Sequence, residues 1–223
     1  MKVKPVILCG GAGTRLWPKS KKNVAKQFIN FGGWTLLQKT LERIKNPLFD
    51  YPIISTNSSY LNLVLSYLKM NKINQYSIIL EPLKKNTAAA ILSSALLDEI
   101  PSEQPMIFFP SDHLIEKKDN FIKSISQNLN YLNEDNIFVF GIKPKTASSQ
   151  YGYFLTKKIS NGVNKVTKFV EKPNQVYAKK ILKKKAYWNS GILLARKDSI
   201  INNFIKYNQK TLDLCIDSLF KSK

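Results

Sequence analysis

Short apolar runs alternate with amphipathic stretches along the first part of the chain. Val3 to Cys9 is largely apolar and stops at Gly10-Gly11-Ala12-Gly13, which predicts a buried strand entering a glycine loop. Apolar residues at helical spacing predict a helix over Leu36 to Ile44. Pro52 to Ser55 reads as a second strand, Tyr60 to Leu68 as an amphipathic helix, and Ser77 to Leu80 as a third strand. Asn86-Thr87 has the chemistry of a helix cap and precedes an alanine-rich helix to about Leu97. Met106 to Phe109 predicts a fourth strand, ending at Pro110-Ser111-Asp112-His113. A helix over Phe121 to Leu132 and a fifth apolar strand over Ile137 to Ile142 follow. Short, fully apolar strands alternating with helices indicate a doubly wound α/β sheet.

The pattern changes after Pro144. Tyr151 to Thr156 and Val163 to Val170 look like strands of a β-rich insertion that closes at Glu171-Lys172-Pro173. Lys179 to Lys184 is a basic helix, Asn189 to Leu194 another strand, and a final helical stretch starts at Ser199. The chain therefore divides into parts 1–143 and 144–223, with no repeat or low-complexity linker between them.

Composition narrows the classes. Of 223 residues 43% are hydrophobic, with 3 Trp, 10 Tyr and 12 Phe, enough for a packed core and too many for a disordered polybasic chain. No apolar run approaches the ~20 residues of a membrane-spanning helix. The first nine residues are too short and too soon followed by glycines to be a secretory signal. Cys9 and Cys215, far apart in sequence, make no disulfide framework or metal pattern, so a reducing cytoplasm is expected. The formal net charge of +20 points first to a polyanion. Its make-up argues otherwise, because only Arg15, Arg43 and Arg196 are arginines and the scattered lysines lack the planar fork that reads phosphate and guanine. Neither nucleic acid nor a membrane is expected as a partner.

Three segments carry chemistry. Gly10-Gly11-Ala12-Gly13-Thr14-Arg15 follows a strand and lacks side chains where backbone N–H groups could surround phosphates. It is not a Walker A loop, which needs Lys-Ser/Thr, nor a dinucleotide fingerprint, since Leu16 stands where the third glycine belongs. Arg15 and Lys26 supply cations near it. The same glycines also suit a plain strand-turn-helix corner. Asp112 lies just past an apolar strand, where ligands bind in open α/β sheets. A carboxylate there suits a hard cation such as Mg²⁺, or alternatively caps a turn. His113, the only histidine, reads as structural or as a proton relay. Glu171 and Lys172 could meet sugar hydroxyls and a sugar phosphate. Gly152 and Asn189 are candidates for close approach and hydroxyl reading.

In order, the segments are LCGGAGTRLWP, AKQF, EPLKKNTAAAI, FFPSDH, YGY, FVEKP and WNSGI. Over roughly residues 5 to 196 this succession resembles the sugar-1-phosphate nucleotidyltransferases, and most closely the mannose-1-phosphate guanylyltransferases. The resemblance implies a Rossmann-like, GT-A-like mixed sheet flanked by helices, with a β-rich sugar-binding insertion. It implies transfer of GMP from GTP to mannose 1-phosphate with Mg²⁺ as cofactor, in nucleotide-sugar and polysaccharide biosynthesis, and a homodimer as a further expectation. Residues 1–143 become the nucleotide-binding part and 144–223 the sugar-phosphate-binding part. By position, Gly10, Gly11, Gly13 and Arg15 match the nucleotide loop, Lys26 the phosphate-binding lysine and Asp112 the metal ligand. Gly152, Glu171, Lys172 and Asn189 fall on the sugar-phosphate side, with Lys172 joining Arg15, Lys26 and Asp112 as catalytic. Glu81 and Asn86 lie where the base sits, and a carboxylate facing guanine N1–H and N2–H₂ would select G over A.

The chain departs from the pattern at Ala25, Lys85 and Ala89, where the closest relatives usually carry Pro, Arg and Pro. Family members continue well past Trp-Asn-Ser-Gly and supply a second metal aspartate, of which Ile216-Asp217 is only a weak echo. The sugar-phosphate part is thus expected to be incomplete, with no C-terminal β-helix or cupin domain. Two other readings stay open: a nucleotidyltransferase for another sugar 1-phosphate, and a shortened, non-catalytic binder of nucleotide or sugar phosphate.

Overall fold

A computed structural model of the chain describes residues 1–11, 25–82, 87–159 and 163–221. Among these the elements run β1 (Lys4–Cys9), α1 (Leu36–Arg43), β2 (Ile53–Asn57), α2 (Leu61–Met70), β3 (Ser77–Glu81), α3 (Thr87–Ala95), β4 (Pro105–Pro110), α4 (Lys118–Asn128) and β5 (Ile137–Ile142). They continue as β6 (Tyr153–Lys158), β7 (Asn164–Val170), α5 (Gln175–Lys183), β8 (Tyr187–Arg196), α6 (Lys197–Tyr207) and α7 (Gln209–Phe220). The architecture is a mixed α/β fold, strands flanked by helices, as the resemblance implies. No helix among the described residues is long and apolar enough to cross a membrane.

The chain forms two compact units, Met1–Ile137 with Leu194–Lys223, and Phe138–Leu193. The expected division at 143/144 groups the residues differently, because residues 194–223 return to the first unit. Leu212 and Cys215 of α7 bury against Leu92 of α3, with Ala89, Leu96 and Phe204 around them. The final helical stretch is also two helices rather than one. Asn208 leaves helical geometry at φ −157°, and its side chain accepts from the Thr211 N–H to start α7.

In the first unit the strand order is β3-β2-β1-β4, all parallel. Register is set by pairs such as Val6 with Ile53 and Phe108. Val6, Ile7, Ile53, Ile54 and Met106 to Phe109 are wholly buried on successive positions, which requires cover on both sheet faces and explains their unbroken apolar runs. Parallel pairing brings the carboxyl ends of these strands to one edge. Connections from β1 lead outward through β2 to β3, whereas β4 lies on the other side of β1. The β1/β4 border is therefore a topological switch point, where open α/β sheets place ligands.

In the second unit β6 pairs antiparallel with both β7 and β8, and β5 pairs β8. Tyr153 stands opposite Val170 and Trp188, and Phe154 opposite Phe169 and Tyr187. Residues opposite one another share a face. The Tyr153 face packs on Ala178 and Ile181 of α5 and on Ala186, with Leu155, Val170 and Trp188 beside them. Asn174 caps α5 by accepting from the Tyr177 N–H at 2.9 Å.

Candidate functional site

The first cluster gathers at the carboxyl edge of β1 to β4. Gly10 and Gly11 follow β1, Glu81 ends β3, and Asp112 stands two residues past β4. Lys26 donates from Nζ to Asp112 Oδ2 at 2.8 Å, each side chain about one-third exposed. Beside it Gln27, 2% exposed, donates from Nε2 to the carbonyls of Cys9 and Gly11, both at 3.2 Å. Those carbonyls lie where the β1 ladder ends, so the Gln27 amide supplies donors that water would otherwise provide. The start of the glycine loop and Lys26 are thereby tied together.

Glu81 is held from β2. Ser55 Oγ donates to its Oε1 at 2.6 Å, and Asn57 Nδ2 donates to its backbone carbonyl at 2.9 Å. The carboxylate lies over Gly10: a Cβ there would stand 3.0 Å from Glu81 Oε1. A side chain at Gly10 would displace the carboxylate, so this glycine serves close approach.

Helix α1 fixes the turn that carries Asp112. Thr35 caps it, accepting from the Gln38 N–H at 3.2 Å. Thr40 and Arg43 project from its buried stripe. Arg43 Nη2 donates to the His113 carbonyl at 2.8 Å, and Thr40 Oγ1, which donates to the Leu36 carbonyl at 3.0 Å, lies 3.4 Å from the Ser111 carbonyl. Arg43 is 3% exposed, and burial pulls its pKa down to about 10, so it stays cationic at neutral pH. His113 Nε2 lies 3.9 Å from Asp112 Oδ1. Burial lowers the His113 pKa, outweighing the opposing pull of Asp112, so the imidazole is neutral at neutral pH and this contact is no ion pair. Cys9 is driven up to about 11 by burial, against hydrogen bonds from Ser111, Gln27 and Thr56. It is a protonated structural thiol.

The second cluster lies in the other unit, on the sheet face away from α5. Extending the register one step past Tyr153 places Gly152 opposite Glu171 and Asn189, and the Asn189 N–H donates to the Gly152 carbonyl at 2.8 Å. A Cβ on Gly152 would lie 2.8 Å from Glu171 Oε2 and 3.0 Å from Phe169 Cζ. Lys172 Nζ reaches Glu171 Oε1 at 3.1 Å, both side chains more than half exposed. Lys172 has φ +38°, a left-handed conformation that costs a lysine roughly 1–3 kcal/mol. Pro173 behind it disfavours the ordinary helical alternative. Asn189 Oδ1 accepts from the Gly191 N–H at 3.1 Å, and Gly191 has φ +74°.

Lys26, Asp112, Gly10, Gly11 and Glu81 are thus assembled in one unit, and Gly152, Glu171, Lys172 and Asn189 in the other. Gly13, Arg15 and Asn86 lie outside the described residues. Sequence reasoning missed Gln27, Ser55, Asn57, Thr40 and Arg43. Arg43 carried a signal: positions 36, 40 and 43 share one helical stripe, so a cation there sits among apolar residues. Gln27 carried only its place in AKQF.

Among the described residues no group of three or more His, Cys, Asp or Glu side chains could hold a metal. Asp112 alone fits a cation that takes its other ligands from phosphate and water, as Mg²⁺ does, and does not fit an all-protein cage.

Comparison with known proteins gives the same direction. The Nucleotidyl transferase family profile matches residues 4–221. A mannose-1-phosphate guanylyltransferase of Escherichia coli is 34% identical over 226 residues, covering 96% of this chain and 48% of that protein. The alginate biosynthesis protein AlgA of Pseudomonas fluorescens is 32% identical over 225 residues, covering 98% of this chain and 47% of that protein. The chain spans about half the length of these relatives. A crystal structure described as mannose-1-phosphate geranyltransferase from Thermus thermophilus shares the fold, with TM-score 0.85 at 24% identity, covering 98% of this chain and 64% of that one.

Proposed function

The chain belongs to the nucleotidyl transferase family, and on that premise we propose that it transfers GMP from GTP to α-D-mannose 1-phosphate, giving GDP-mannose and pyrophosphate. The observation that carries this reading is the Lys26–Asp112 pair at the β1/β4 switch point, beside Gly10 and Gly11 and with Glu81 over Gly10. Mannose and GTP, rather than another sugar and base, are supported by the Escherichia coli relative and by a carboxylate held where it could face guanine.

Lys26 and Asp112 neutralise each other in the structure. A triphosphate competes for the ammonium and a cation for the carboxylate, so the two ligands together separate a pair that either alone leaves half satisfied. Asp112 would hold Mg²⁺. Bound there, Mg²⁺ neutralises phosphate charge.

The chain's residues act by charge and position. An oxygen of the sugar phosphate attacks the α-phosphorus of GTP, one P–O bond forms, and the bond to the bridging oxygen of the leaving pyrophosphate breaks. The attacking oxygen is already ionised, so no general base is needed and the neutral His113 has no proton to take. Lys26, with Arg15, meets the triphosphate; Lys172 leaves Glu171 for the sugar phosphate, freeing that carboxylate for hydroxyls. Gly152 and Asn189 complete the sugar side. Gln27 and Arg43 hold the loop and the turn in place.

Pyrophosphate release across GTP, ATP, UTP and dTTP, each with mannose 1-phosphate and with glucose 1-phosphate, tests the reading. Release with GTP and mannose 1-phosphate is expected to be fastest. Release with dTTP and glucose 1-phosphate but not with GTP would sink the substrate choice.

A further inference from the structure

We propose that Phe169 is a sugar-contact residue: its ring takes the apolar C–H face of the hexose while Glu171 takes its hydroxyls. This rests on the sugar-phosphate reading of the same face. Two aromatic residues, Phe154 and Phe169, oppose each other across β6 and β7, and their environments differ. Phe154 is 4% exposed and stacks on Tyr187, with centroids 6.0 Å apart. Phe169 is 51% exposed. Its Cζ and Glu171 Oε2 stand 3.0 and 2.8 Å from the point a Gly152 Cβ would occupy. Glycine therefore lets a carboxylate and the tip of a phenyl ring, two positions apart in sequence, close over its backbone side by side.

A pyranose presents two chemistries: hydroxyls around its rim that donate to a carboxylate, and C–H bonds on its face with slightly positive hydrogens. An aromatic face carries negative charge density and attracts such hydrogens, as it attracts the edge of another ring. Glu171 and Phe169 offer both partners side by side. Polar groups orient the ligand and apolar surface desolvates it, the usual division of labour in a small-molecule site. A nucleotide base has no hydroxyl rim to match, so the exposed Glu171–Phe169 pair is assigned to the sugar.

The test compares the 223-residue protein with Phe169→Ala, Phe169→Leu and Phe169→Tyr, using mannose 1-phosphate as ligand. In pyrophosphate-release kinetics, Phe169→Ala is expected to raise KM for mannose 1-phosphate roughly 3- to 10-fold, with KM for GTP unchanged and Phe169→Tyr restoring the value. In proton NMR of mannose 1-phosphate, the wild type is expected to shift sugar C–H resonances upfield on binding. Phe169→Leu, which keeps the apolar bulk without a ring current, is expected to lose that shift. Wild-type binding or turnover that Phe169→Ala leaves unchanged, or an upfield shift surviving in Phe169→Leu, overturns the assignment alone. No binding and no turnover of any sugar phosphate by the wild type overturns the reading beneath it, and the assignment with it.

Discussion

Gly152→Ala separates a recognition role of the second cluster from a structural one. The added Cβ would meet Glu171 Oε2 at 2.8 Å and Phe169 Cζ at 3.0 Å, where ordinary contact begins at 3.4 Å. Both atoms are the far ends of exposed side chains, so they can retreat by about 0.6 and 0.4 Å without moving backbone. Gly152 does not have a positive φ, so alanine fits its backbone. Restricting the unfolded chain by this change adds roughly 0.4–1 kcal/mol of stability, which offsets the crowding. The melting temperature is therefore expected to stay within a few degrees. The ligand side responds differently, because a misplacement approaching 1 Å can cost on the order of 10²-fold in a positioned reaction. KM for mannose 1-phosphate is expected to rise roughly 10- to 100-fold, with KM for GTP unchanged, in steady-state pyrophosphate release followed alongside thermal melting. Gly141→Ala is the control. Its Cβ would meet Phe154 Cζ at 2.8 Å and Tyr187 Cβ at 2.9 Å; Tyr187 Cβ cannot swing aside, so stability falls by roughly 1–3 kcal/mol. An unchanged KM for mannose 1-phosphate in a folded Gly152→Ala protein would refute the placement of the sugar phosphate on this face.

Lys26→Met removes the cation at the switch point; kcat is expected to fall roughly 10²- to 10³-fold. The partly exposed ion pair itself contributes at most ~1 kcal/mol, so a collapse of the fold on melting would show a structural role instead. Glu81→Gln keeps the Ser55 bond but loses the acceptor pair proposed for guanine. The ratio of kcat/KM for GTP over ATP is expected to drop roughly 10- to 100-fold, and an unchanged ratio would remove Glu81 from base choice. Cys9 tests the burial of β1. Its folded pKa of about 11 lies above the ordinary value of 9.0, so the stability it contributes is present below pH 9 and is lost as pH rises towards 11. The stability difference between wild type and Cys9→Ala is expected to shrink by roughly 2–3 kcal/mol over that window in urea melts; a pH-independent difference would show that the thiol is not buried.

The strands were readable where burial left a simple trace. Those of β1 and β4 are covered on both faces and therefore appear as apolar runs, whose ends mark the ligand edge. The break between α6 and α7 left no such trace: Asn208 turns the chain with neither glycine nor proline nearby. The return of residues 194–223 to the first unit depends on Leu212 and Cys215 meeting Leu92, a contact that local periodicity does not encode. At the site, Asp112 was visible as a carboxylate just past a strand end, Lys26 as a cation near the glycine loop, and Glu81 through the resemblance. The groups that hold them were not, since Ser55 meets Glu81 only through the β2/β3 register, and Gln27 and Arg43 act through backbone carbonyls. Phe169 was read as part of a strand; its exposure beside Glu171 appears only once β6 and β7 are paired.

Phosphorus NMR of the protein with GTP, mannose 1-phosphate and Mg²⁺ tests guanylyl transfer most directly, because it follows each phosphorus atom through the reaction. The expected result is loss of the three GTP resonances and the mannose 1-phosphate resonance, with matched growth of the two coupled phosphorus signals of GDP-mannose and of pyrophosphate. Mannose 1-phosphate remaining untouched while GTP is unchanged, or is hydrolysed to GDP and phosphate, would contradict it.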